Sequence, residues 1–177
     1  DAYDEIAAFT GCIEKAATVD FVAKRTYYDL ASLIPDFIAV TGIYNRRVKR
    51  WMNDCSYRAL DQIRDDWERA NGEPYLYAPV NYRYIAIFPQ VDTTSGQMYV
   101  FYKAQAPILV GDSSPLIPIE IQQEILSGYV DADLLEQAEE FGKAGRFFKS
   151  YQEKVTELVR FLKKRDSERL RRLGGGF

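Results

Sequence analysis

The 177-residue sequence contains no histidine. That absence excludes a Ser-His-Asp or Cys-His nucleophile, a His-ligated zinc and an imidazole general base. Cysteine is nearly absent too. Cys12 and Cys55 are too few and too far apart for a four-cysteine metal site or a disulfide framework, and both are expected to be small buried side chains. No apolar run approaches the ~20 residues needed to span a membrane, so a soluble protein without a membrane partner is expected. Near the start, Asp4, Glu5 and Glu14 interrupt any secretory core. No glycine-rich loop follows a strand and opens a helix, as phosphate sites require.

What is present is the composition of an ordered globular protein. Hydrophobic residues make up 47% and charged residues 28%, enough for one domain, or one domain with an extension. The net charge of -3 conceals a division. From Lys143 to Arg172 there are 11 Lys and Arg against 4 Asp and Glu, or +7, so the other segments sum to -10.

Periodicity predicts a mainly α protein: a helical bundle with an inserted two-stranded β-hairpin and a long projecting C-terminal helix. Ile6, Phe9, Ile13 and Ala17 mark one face of a helix over 2–17. A second helix is expected from Asp20 to Leu33, stopped by Pro35. Asn45 caps a third, on which Val48, Trp51, Met52, Cys55, Ala59, Ile63 and Trp67 follow the helical repeat as far as Asn71-Gly72. Tyr84–Phe88 and Met98–Tyr102 read as the strands of a hairpin at about 83–104. Both strands are apolar on both faces, so either the chain's own helices and the following loop cover them or a neighbouring subunit does.

Residues 105–117 read as an extended connection. Pro118 then starts a helix with a stripe from Ile121 to Leu135, and a last helix runs from Arg146 to Arg172 with a break near Gly142. At 1.5 Å per residue this last helix is about 40 Å long, more than a small core covers. The body is therefore assigned to 1–162 and a basic arm to 163–177. The carboxylate groups Asp65-Asp66, Asp131/Asp133 and Glu139-Glu140 are read as solvated helix surface in preference to acid–base or cation sites. No cofactor and no metal are expected.

In its order of elements the chain resembles the head-to-tail adaptor (connector) proteins of tailed bacteriophages. The residues that carry the resemblance are Val48 to Ala59 (VKRWMNDCSYRA), Trp67 with Gly72-Glu73-Pro74-Tyr75, Ile85-Ala86-Ile87-Phe88-Pro89, Met98-Tyr99-Val100-Phe101-Tyr102, and Pro115-Leu116-Ile117-Pro118. The resemblance implies a non-enzymatic virion protein at the head–tail junction, assembled in the host cytoplasm. It implies a homo-oligomeric ring, commonly of twelve, that binds the portal protein and a downstream tail or nozzle protein. Genome DNA would pass through the lumen without specific binding, as in ejection.

On that basis Lys163, Lys164, Arg165, Arg169, Leu170, Arg171, Arg172 and Leu173 are expected to dock on the portal. Phe88, Tyr99, Phe101, Pro107 and Ile108 are expected at the subunit interface. Two other classes remain open from the residues alone: a nucleic-acid-binding helical protein using the basic arm, and a helical enzyme working with carboxylates only.

Overall fold

The computed structural model describes residues 6, 11–107 and 119–174, with side chains described through residue 107 and from 125 to 164. It is a mixed α and β protein with 38% helical and 31% strand residues, which overturns the expected mainly α bundle. The chain divides into two compact units. Residues 14–105 form one; residues 1–13 and 106–177 form the other.

The first unit holds two four-stranded sheets. Sheet 1 has the order β1 (Glu14–Asp20), β8 (Gln97–Ala104), β3 (Phe37–Asn45), β4 (Arg50–Trp51). Sheet 2 has the order β2 (Tyr27–Asp29), β7 (Tyr84–Phe88), β6 (Leu76–Val80), β5 (Asn53–Asp54), and only β5–β6 is parallel. The expected hairpin is therefore replaced by two central strands in different sheets. β7 pairs with β2 and β6, whereas β8 pairs with β1 and β3. Centrality also accounts for the apolar character of β7 on both faces. Its Ile85 and Ile87 lie on one face with Tyr28 and Tyr77, all buried. Its Ala86 and Phe88 are covered on the other by Leu60 and Trp67.

The long helix expected from Asn45 to Asn71 is not formed. Asn45 ends β3 instead, fully buried, and Lys49 takes a left-handed backbone (φ 53°) that a continuing helix cannot contain. The apolar residues with helical spacing are shared among a turn (Val48), β4 (Trp51), helix α2 (Tyr57–Ile63) and a 3-10 turn (Trp67–Arg69). Ser56 caps α2, its hydroxyl accepting from the Ala59 amide at 3.2 Å. The expected helix over 20–33 reduces to β2 and the single turn α1 (Leu30–Leu33), capped by Asp29 and ended before Pro35. Likewise Ala17 and the other residues from Glu14 to Asp20 form β1 instead of the end of an N-terminal helix, their backbone groups being taken up by β8. In each case sheet pairing outweighed a weak local helical preference.

In the second unit, helix α3 (Ile119–Gln137) packs against helix α4 (Phe141–Gly174), as the sequence stripes predict. Tyr129 meets Tyr151 edge to face at 5.3 Å, and Ile125, Ala132, Ala144, Tyr151, Val155, Leu158 and Leu162 are buried. The break between the helices falls at Glu139, left-handed at φ 61°, so Gly142 and Gly145 lie inside α4. At 1.5 Å per residue the 34 residues of α4 extend about 51 Å, against about 28 Å for the 19 residues of α3.

Candidate interaction surface

Alternation along β8 sets up the surface. Met98, Val100, Tyr102 and Ala104 are buried, whereas Gln97, Tyr99, Phe101 and Lys103 are half-exposed on the other face. The register brings Tyr44 opposite Tyr99 and Trp51 opposite Tyr44, so aromatic rings from three strands share that face. Tyr44 stacks on Tyr99 at 6.5 Å and meets Trp51 edge to face at 5.5 Å; Trp51 lies 5.0 Å from Phe101. Gly42 makes this possible. A Cβ there would stand 3.2 Å from Trp51 Cζ3, so the indole rests directly on the strand. Trp51 remains 42% exposed.

A basic turn borders the rings. Between Asn45 and Trp51 the chain carries Arg46, Arg47, Lys49 and Arg50 and no carboxylate. Arg46 lies over the Tyr99 ring at 4.7 Å and donates to Gln97 Oε1 at 2.6 Å; Arg47 pairs with Glu73 at 3.2 Å. The turn is built by Asn45. Its Oδ1 accepts from the Arg47 amide at 3.0 Å, and its Nδ2 donates to Glu73 Oε1 at 2.9 Å and to the Pro74 carbonyl at 3.1 Å. Two further networks brace the unit. Asp36 accepts from Lys15 Nζ at 2.6 Å and from Tyr102 Oη at 2.9 Å. Burial opposes ionisation of Asp36, but these bonds outweigh it and hold its carboxyl below the ordinary range. Burial, and then the bond to Asp36, push the Tyr102 phenol up to about 12. At the other network, hydrogen bonds from Arg83 pull Asp29 down to about 2.

The expected interface residues fall at different places. Tyr99 and Phe101 belong to the aromatic face, and Pro107 is exposed. Phe88 is buried in the chain's own core with Leu60, Trp67, Ala78 and Ala86, so its ring is already covered. Ile108 lies outside the described residues. Of the expected arm, Lys163 and Lys164 are exposed. Arg165, Arg169, Leu170, Arg171, Arg172 and Leu173 lie on the helical backbone of α4, their side chains outside the described ones. Cys12 and Cys55 are not joined in a disulfide and are partly buried, less than expected. Cys55 packs at the β5–β6 edge, where burial pushes its thiol up.

The helical pair carries a second feature, at the end where α3 turns into α4. Tyr129, Ala132, Asp133, Glu136, Phe141, Ala144, Gly145 and Phe148 line a groove of about 420 Å³. Phe141 is 64% exposed. From 125 to 142 the chain holds five carboxylates, Asp131, Asp133, Glu136, Glu139 and Glu140, and no cation. Sequence patterning missed both surfaces. The cluster RRVKRW was legible, but a helix there would have dispersed it around its circumference.

No group of three or more potential metal ligands occurs among the described residues, and the described helices include none long and apolar enough to cross a membrane. What decides the classification is a family comparison: the profile of the SU10 adaptor protein family matches residues 1–174. The chain belongs to the SU10 adaptor protein family. This is a family of phage head–tail adaptors, structural proteins of the virion. No curated protein matches the chain. In this SU10-type adaptor, side-chain chemistry on the described surfaces is that of contact: aromatic rings, arginines and an acidic groove, the residue types from which protein interfaces are made.

Proposed function

We propose that the protein forms a ring between the portal and the tail, continues the DNA channel there, and works by ordered assembly without catalysis. The observation that carries this is the family match over nearly the whole chain. Neighbouring subunits meet through the aromatic face that holds Tyr99 and Phe101 and through the connection that begins at Pro107. The end of α4, from Lys163 to Leu173, docks on the portal, its basic groups meeting acidic ones and Leu170 and Leu173 adding apolar contact. Support comes from the length of α4, which is 15 residues longer than the helix it packs against.

Deleting 163–177 is expected to leave a folded protein that no longer binds the portal. Co-sedimentation of the truncated and full-length chains with purified portal tests this, with circular dichroism as the control for folding. A truncated chain that loads onto portals as the full chain does refutes the docking assignment. Native mass measurement on the portal-bound adaptor tests the ring itself: a single adaptor mass per portal would refute it.

A further inference from the structure

Two surfaces of this chain complement each other in charge. One is the aromatic face of sheet 1 with its basic turn, where Lys49 and Arg50 make no ion pair among the described residues. The other is the groove at the α3–α4 turn, whose lining includes Asp133, Glu136 and the exposed ring of Phe141. We propose that the two meet between copies: the acidic, phenylalanine-bearing turn of the helical pair in one copy seats on the Trp51–Phe101 face and the 46–50 turn of a second copy. This rests on the ring reading above and deepens it by naming the two halves of the contact.

Three observations favour a second copy as the occupant. The turn at 46–50 carries four cations, of which Arg47 is paired with Glu73, and the 125–142 segment carries five acids, of which Glu140 is paired with Lys143, so the charge left on the two surfaces is opposite in sign. The exposed composition is that of interface centres, with Trp51, Tyr44, Tyr99 and Arg46 clustered. Trp51 lies down on Gly42, held between Tyr44 and Phe101, so its ring is ordered before contact and little freedom is lost when a partner covers it. Because the halves are different surfaces, the contact is head to tail. Such a contact closes into a ring or continues indefinitely when each copy passes it on to the next, and gives a two-fold dimer only where both halves are exchanged reciprocally between two copies.

The test uses the full chain with benzoylphenylalanine in place of Val48, which is exposed in the basic turn and leaves Trp51 intact. Heavy- and light-isotope copies are mixed, free at rising concentration and on the cognate portal, then irradiated and mapped by mass spectrometry. The expected product joins position 48 of one copy to residues 129–148 of the other. It should fall at least tenfold with Lys49→Glu and Arg50→Glu, and return when the same chain also carries Glu136→Lys and Glu139→Lys. Rescue by the second pair excludes a mere folding defect in the first. A crosslink confined to one copy, one that lands elsewhere, the absence of any intercopy product, or charge reversal without effect each overturns the proposal. So does protection of the turn by a single-stranded oligonucleotide in place of the intercopy product, the outcome for a nucleic-acid surface. If rings of native mass form on the portal while the crosslink lands elsewhere, this contact fails and the ring stands.

Discussion

Asn45→Asp changes no side-chain volume and converts two donors into acceptors at the residue that shapes the basic turn. In the native protein Nδ2 donates to Glu73 Oε1 at 2.9 Å and to the Pro74 carbonyl at 3.1 Å, while Oδ1 accepts from the Arg47 amide. The substitution keeps the last bond and loses the other two. A neutral bond is worth about 1 kcal/mol and one to a charged group about 1.5–3, and the new carboxylate faces Glu73 with only Arg47 to offset it. We expect about 3–5 kcal/mol of destabilisation at pH 7. With a urea slope of roughly 2 kcal/mol per molar, the midpoint drops by about 2 M.

The pH dependence separates the causes. Burial and Glu73 raise the introduced carboxyl in the folded state, so the penalty is least below its unfolded value of about 3.9 and grows as pH rises towards the folded value. The difference from the native protein should therefore be smaller at pH 4 than at pH 7, by on the order of 2 kcal/mol. Asn45→Ala, which adds no charge, should cost about 3 kcal/mol with little change between those pH values. Urea melts followed by far-ultraviolet dichroism measure both. An Asn45→Asp protein within ~1 kcal/mol of native at pH 7, or a penalty independent of pH, would refute the role assigned to Asn45.

Three other outcomes follow from the same geometry. Phe88→Ala should cost about 3–5 kcal/mol in a urea melt because it empties a site in a closed core, whereas the half-exposed Phe101→Ala should cost about 1–2 and act chiefly on assembly; equal costs would mean that the two rings are not differently placed. Asp29 is lowered in the folded state, so its stabilising contribution is present above the unfolded value near 4 and is lost as pH falls towards 2; Asp29→Asn should flatten acid unfolding in that window, and an unchanged acid limb would refute it. Gly42→Ala should leave the thermal midpoint within a few degrees of native while shifting the Trp51 fluorescence, since the new methyl presses on the indole from 3.2 Å; an unaltered spectrum would show that the ring does not rest on the strand.

The helical pair was legible because its signals are local: apolar positions at helical spacing from Ile121 to Leu135 and from Phe148 to Leu162. The sheets were not, and the segment from Asn45 to Trp67 shows why. Its apolar residues fall by chance on a helical repeat, but Asn45 is held by Glu73 and Pro74, which are 28 and 29 residues away. Such long-range bonds leave no mark in a window of a dozen residues. The same limit misdirected the pairing of β7 with β8. Adjacent in sequence and both apolar, they look like a hairpin, whereas each has two other neighbours and stands at the centre of its own sheet. Tyr99 and Phe101 could be singled out from sequence as large rings on a strand; that Trp51 and Tyr44 share their face could not, because only the register of β3, β4 and β8 brings them alongside.

Charge takes on a different meaning once the two units are known. Residues 14–105 hold 12 Lys and Arg against 11 Asp and Glu, so the sheet unit is close to neutral. The excess acid outside Lys143–Arg172 falls on segments 1–13 and 106–142, which contain three and eight carboxylates and no cation. A lumen that repels DNA along its whole length would need acid spread over the wall that lines it. The part of that acid carried by α3 and the turn after it acts over about one Debye length, ~8 Å at physiological salt, which is the range of a contact. The local basic turn at 46–50 acts over the same range. Raising salt to ~1 M, where that length falls to ~3 Å, should therefore weaken association between copies far more than it weakens either unit's fold. Sedimentation velocity alongside thermal melts at both salt concentrations measures the two effects, and an association insensitive to salt would mean that the aromatic rings alone hold the copies together.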